Sequence, residues 1–269
     1  MIKNWILAFL ATFWLITILV PISLNAATLH AFLVGDSLDD SIGPSTLSDL
    51  YQMSKQVKVI AGNTDMELNL SILKAEQVTV EEVVNRIHYA QIEADDVVLL
   101  YFSCHGFRIK DKKDRWPYLF FNPKNEALDF HEITQMTLQK QPRLLISLAD
   151  CCNTFVKDEI FQKNAFNLEK AIKLNKSKEN YKKLFRECSG SIIISSSIPG
   201  QSSLCDSSGG VYTQFFLKKL NSTVRGAQNP TWNTLLSAVS DNVESLYRNG
   251  NIDTPQSPQY ELQIKELGQ

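Results

Sequence analysis

Apolar residues in this chain recur in two patterns. Short unbroken runs read as buried strands: HAFLV within Leu29–Val34, VVLLYFS from Val97, RLLISLA from Arg143 and SIIISSS from Ser191. Between them, apolar positions return at helical spacing. Val80, Val83, Val84 and Ile87 form a stripe behind a Thr79–Glu82 capping box, which predicts a helix over 79–92. Helices are also predicted over 46–55, started near Pro44-Ser45, and over 129–139, 211–220 and 231–247, the last just after Asn229-Pro230. Val57–Ala61 and YLFFN at Tyr118 read as two further strands. Strands alternating with amphipathic helices imply an α/β fold with a mostly parallel central sheet and helices on both faces. Such a sheet carries its sites at the carboxyl ends of its strands.

Two segments depart from this rhythm. Residues 154–188 hold eight Lys and one Arg against five acids and read as a solvated basic insertion, with an exposed helix around Phe166–Leu174. Residues 1–26 carry one charge, Lys3, then an apolar run from Trp5 to Leu24 that ends in Asn25-Ala26-Ala27. That is the plan of an export signal, with an uncleaved membrane anchor as the alternative. The expected location is therefore outside the cytoplasm, with membrane contact only through this segment. Residues 28–269 remain as one domain. The net charge of −2 gives no reason to expect a nucleic-acid partner.

Five cysteines leave at least one thiol unpaired, and their spacing is not that of a disulfide framework. Two of the predicted strands end in chemistry. VVLLYFS runs into Cys104, His105 and Gly106, and RLLISLA into Asp150, Cys151 and Cys152. A His and a Cys at one sheet edge supply a nucleophilic sulfur and a base to take its proton. Gly106 permits close approach of a substrate. A carboxylate at Asp150 suits a basic side chain. A zinc site of Cys104, His105, Cys151 and Cys152 ranks lower, because adjacent ligands fit tetrahedral coordination poorly.

YFSCHG resembles the His motif of caspases and metacaspases, a strand ending in S-G-H-G. LADCCN resembles the metacaspase nucleophile motif D-x-C-H-S-G. SIIISSSIPGQSSLCD, GGVYTQFFLKKL and SPQY from Ser257 follow in the same order as that family's later segments, SPQY opening the last strand. The resemblance implies a three-layer caspase-hemoglobinase-like fold and a thiol endopeptidase acting on proteins or peptides. It implies His105 and Cys152 as the catalytic pair, with Gly106 and the Cys152 amide forming the oxyanion hole. Asp150 is implied as the acid that helps select Arg or Lys, with Asp36 as a weaker match to another pocket-lining residue and Asp206 as a still weaker match among the substrate-binding acids. No cofactor or metal is implied, and the acid cluster of calcium-dependent members is not matched, so calcium stays open. Three flanks depart from the pattern: Cys104 before the His, Phe107-Arg108 after Gly106, and Asn153-Thr154 after the Cys. They keep a second reading in view, an inactive caspase-like binding module. They also raise a redox reading in which Cys152 pairs with Cys104. Lys182-Lys183 or Arg186 would be sites of self-processing.

Overall fold

The computed structural model describes residues 26–155, 177–226 and 229–266. The export segment and the expected 166–174 helix lie outside these. In chain order the elements are β1 (Thr28–Gly35), α1 (Gly43–Thr64), β2 (Glu67–Lys74), α2 (Val80–His88), β3 (Val97–Ser103), β4 (His105–Phe107), β5 (Tyr118–Phe121), β6 (Glu126–Asp129) and α3 (Phe130–Leu138). They continue with β7 (Leu144–Asp150), α4 (Ser177–Phe185), β8 (Cys188–Ser195), β9 (Cys205–Asp206), β10 (Gly209–Gly210), α5 (Val211–Arg225), α6 (Trp232–Arg248) and β11 (Gln259–Glu266).

Six strands form the main sheet in the order β11-β8-β7-β3-β1-β2, and β11 alone runs antiparallel to its neighbour. Alternation along β1 divides the core. Leu29, Ala31 and Leu33 pack on one face with α1, α4, α5 and α6, while Phe32 and Val34 pack on the other with α2 and α3. This is the expected α/β fold of three layers. A second, three-stranded sheet, β4-β5-β6, stands beside the end of β3. Among the described residues no helix is long and apolar enough to cross a membrane.

One predicted strand is corrected. Val57–Ala61 belongs to α1, because Leu50, Met53, Val57, Ile60 and Ala61 form one buried helical stripe. The second strand comes later, as ELNLSILK, an edge strand whose half-exposed face hides its apolar pattern. The Thr79 cap holds, with its side chain accepting from the Glu82 amide, though α2 ends at His88. Lys182 and Lys183 sit in α4, where Lys182 pairs with Asp65, and Arg186 follows directly.

Arg143, just before β7, fixes where the chain re-enters the sheet. Its guanidinium donates to the carbonyls of Phe185, Arg186 and Cys188 at 2.7–2.9 Å. It also pairs with Asp95 at 3.1 Å.

Candidate active site

β3 and β7 are hydrogen-bonded neighbours, and their last residues, Ser103 and Asp150, are register partners. Beyond them the two segments stay side by side. The Arg108 amide donates to the Thr154 carbonyl at 2.8 Å, and Arg108 pairs with Phe155. The offset between partners is the same at both points, and His105 and Cys152 stand at that offset too. Gly106 is required by closeness. A Cβ there would lie 2.3 Å from the Cys152 carbonyl oxygen and 2.7 Å from the Cys151 sulfur.

Cys152 is half-buried. Its sulfur accepts from the Ser203 amide at 3.3 Å. Burial pushes its thiol pKa up, against the Ser203 amide and the Ser202 hydroxyl, and the nearby Asp150 adds to the rise. The segment behind it is tied down by buried hydroxyls. Ser196 accepts from the Cys151 amide, and the Ser196 and Ser197 hydroxyls donate to the Cys151 carbonyl. Asn153 is fully buried. It accepts from Arg108 Nη1 and donates to the carbonyls of Arg115 and Ser197. The Ser-rich end of β8, read from the sequence only as strand, is thus the scaffold of the Cys152 segment.

The Cys104 side chain hydrogen-bonds to Cys151, and both are buried in the α2–α3 side of the core. All five cysteines are free thiols. Among the described residues no group of three or more His, Cys, Asp or Glu side chains is arranged to hold a metal ion.

His105 lies on β4 with its ring against the loop after β1. Its Nε2 is 3.0 Å from Asp39 Oδ2, with the two side chains 14% and 6% exposed. Asp39 Oδ1 accepts from the amides of Ser41 and Ile42 and from the Ser41 hydroxyl. Oδ2 also accepts from Asn122 Nδ2. Burial raises the Asp39 pKa, but these hydrogen bonds and the His105 charge outweigh it and hold the carboxyl well below the usual range. Asp36, expected among the substrate-binding acids, is instead completely buried on this side of the site. Its Oδ2 accepts from the Asn122 amide, and its Oδ1 has no hydrogen-bond partner. Burial pushes its pKa up, and the Asp39 charge adds to that.

Asp150 is buried at the end of β7. Oδ1 accepts from the Ser203 hydroxyl at 2.7 Å, and Oδ2 from the Thr213 amide and hydroxyl at 3.0 and 2.6 Å. A second acid, Asp49 on α1, faces the same place. It accepts from the Ser103 hydroxyl and the Gly210 amide. Burial raises both carboxyls, and Asp49 is raised further by the Asp150 charge. Cys205, whose thiol burial pushes up to about 11, feels both acids and bonds to Ser45. Asp49 is the main residue that sequence reasoning missed. Its one signal is position, an acid on the buried stripe that runs Thr46, Asp49, Leu50, Met53. Asp206 is buried too, accepting from the Ser208 amide and from Gln214.

A family model described as the caspase domain matches residues 48–266. Among solved structures, the chain is similar to caspase-1 from Spodoptera frugiperda, with 16% identity and a TM-score of 0.54, covering 91% of this chain and 90% of that one. At that identity the likeness speaks for the fold. No curated protein matches the chain.

Proposed function

The chain belongs to the caspase-domain family of cysteine peptidases, and from that premise we propose an endopeptidase that cuts after Arg or Lys. Cys152 is the nucleophile and His105 its base. The Cys152 proton passes to the imidazole as sulfur attacks the scissile carbonyl carbon. The resulting oxyanion is held by the backbone N–H groups of Gly106 and Cys152. His105 returns the proton to the leaving amine and then takes one from the water that hydrolyses the thioester. Basic specificity is carried by the paired acids Asp49 and Asp150. A guanidinium entering between them exchanges the Ser203 and Thr213 hydrogen bonds for charge-assisted ones and offsets the repulsion of two buried carboxylates.

The observation that carries this reading is the equal offset of His105 and Cys152 on adjoining segments above a buried acidic pair. An Arg-containing fluorogenic peptide tests it. Cys152→Ala abolishes cleavage and Cys151→Ala spares much of it; equal loss from both would remove Cys152 from its role. The second reading, an inactive binding module, draws on the elevated Cys152 thiol and on the hydrogen-bonded state of both acids. Failure of an active-site alkylator to label Cys152 in the folded chain would favour it. We also propose export directed by residues 1–26, which N-terminal sequencing of the mature protein would test.

A further inference from the structure

The mechanism above gives no role to Asp39, a buried acid in contact with the base. We propose that Asp39 is a positioning residue for His105. It takes the Nε2–H, so that Nδ1 is the nitrogen that exchanges a proton with Cys152, and its charge stabilises the imidazolium that forms. The inference rests on the dyad reading and extends it to a third side chain.

Three observations support it. First, the contact is short and shielded, 3.0 Å between side chains that are 14% and 6% exposed, so water screens it little. Second, the carboxylate is itself immobilised. Ser41 and Ile42 hold Oδ1, and Asn122 meets Oδ2 from the opposite side. A group so surrounded by donors stays ionised and keeps its direction. Third, the nucleophile needs the help. Cys152 lies among groups that disfavour its thiolate, Asp150 included, and a thiolate there forms most readily as an ion pair with a strongly stabilised imidazolium. The carboxyls that feel the charge of the ring are Asp39 and the neighbouring Asp36, while the Cys104 thiol, next in the chain to His105, is turned to Cys151. Asp36 is not the partner, because its Oδ2 accepts from the Asn122 amide and its Oδ1 makes no hydrogen bond.

The test is the pH dependence of Cys152 alkylation by iodoacetamide in the full chain, which needs no substrate. Asp39→Asn keeps an oxygen for Ser41 and Ile42 but presents an amide NH₂ to the ring. Nε2 must then accept, and Nδ1–H turns toward the sulfur. The expected result is a folded protein whose alkylation at pH 7 is slowed at least ~10-fold, with the profile moved up by about one pH unit. Ser41→Ala removes a support of the same carboxylate while leaving its charge, so it lowers the melting temperature and leaves the profile in place. An unchanged profile in Asp39→Asn, with a shifted one in His105→Ala, overturns the inference and leaves the dyad standing. An equal shift in Ser41→Ala also overturns it, since loop packing alone would then explain the effect. Insensitivity to His105→Ala defeats the dyad, and this inference with it. If Asp39→Asn does not fold, ¹⁵N chemical shifts of the wild-type ring decide: a neutral ring protonated at Nε2 supports the assignment, and one protonated at Nδ1 overturns it.

Discussion

Asp49 and Asp150 approach each other across Gly210. The Gly210 amide donates to both oxygens of Asp49, at 3.0 and 3.1 Å, and the place a Cβ would take on Gly210 lies 2.2 Å from Asp150 Oδ2. Two acids and a bare backbone therefore share one small buried volume, roofed by the Cys152 segment and Ser203.

Gly210→Ala tests that volume. The methyl group has no room beside Asp150, so the expected outcome is a loss of about 1–3 kcal/mol in stability, as for overpacking in a core. A higher KM for an Arg peptide should accompany it, because the displaced carboxylate is the one proposed to meet the substrate. Chemical denaturation and steady-state kinetics check the two effects. Wild-type behaviour in both would show that the pair tolerates a wall between its members.

The raised carboxyls predict a pH dependence of binding with a definite sign. In the free enzyme burial favours the protonated acids, while a bound guanidinium favours the carboxylates. Binding therefore releases protons, and KM for an Arg peptide should fall as pH rises through the elevated values. A KM that rises with pH over that window would contradict the assignment.

The same shifts govern stability. A carboxyl whose folded pKa is raised stabilises the fold fully below its ordinary value, near ~3.9, and that contribution is lost as pH rises through the folded value. Asp49→Asn removes the titration. Its melting temperature relative to wild type should therefore climb between pH 4 and pH 8, a trend that thermal melts at a series of pH values would check.

Alkylation should sort the cysteines. Cys152 and Cys205 are half-buried, whereas Cys104, Cys151 and Cys188 are buried. Peptide mapping after brief treatment with a small alkylator should find Cys152 modified, with Cys104 and Cys151 modified only after unfolding. Early labelling of Cys151 would contradict its placement under Gly106.

Asn153→Ala should be among the more damaging single changes near the site. It strips a partner from the buried Arg108 guanidinium and from the carbonyls of Arg115 and Ser197. Gln259 still donates to both carbonyls, and the Lys112 and Asp114 carbonyls still hold Arg108, so a destabilisation of about 1–3 kcal/mol is expected from the three lost hydrogen bonds. A denaturation midpoint close to wild type would show that water replaces those bonds.

Strands buried on both faces were legible from composition alone, because β3 and β7 present apolar residues to both helical layers. β2 was not, because an edge strand has one wet face and Leu68, Leu70 and Ile72 alternate with polar residues. The strand ends carrying His105 and Cys152 were also legible, since each follows its run directly. The acids proposed to act with them were not. Asp39 and Asp49 reach the site from the β1–α1 loop and from inside α1, by contacts remote in sequence that no local pattern records. Asp36 shows the converse, an acid at the end of a strand whose side chain turns inward beside Asp39. Asn153 departs from the motif of the family it resembles, yet its side chain is wholly occupied in bracing the backbone behind Cys152.

Arg143 has a consequence for how this chain can change over generations. By gripping the carbonyls of Phe185, Arg186 and Cys188, at the end of α4 and the start of β8, it sets the re-entry of the chain into the sheet from the β7 side. These contacts use main-chain carbonyls, so they do not depend on which side chains occupy positions 185, 186 and 188. Those three side chains can therefore change under selection while the entry of the chain into β8 keeps its place.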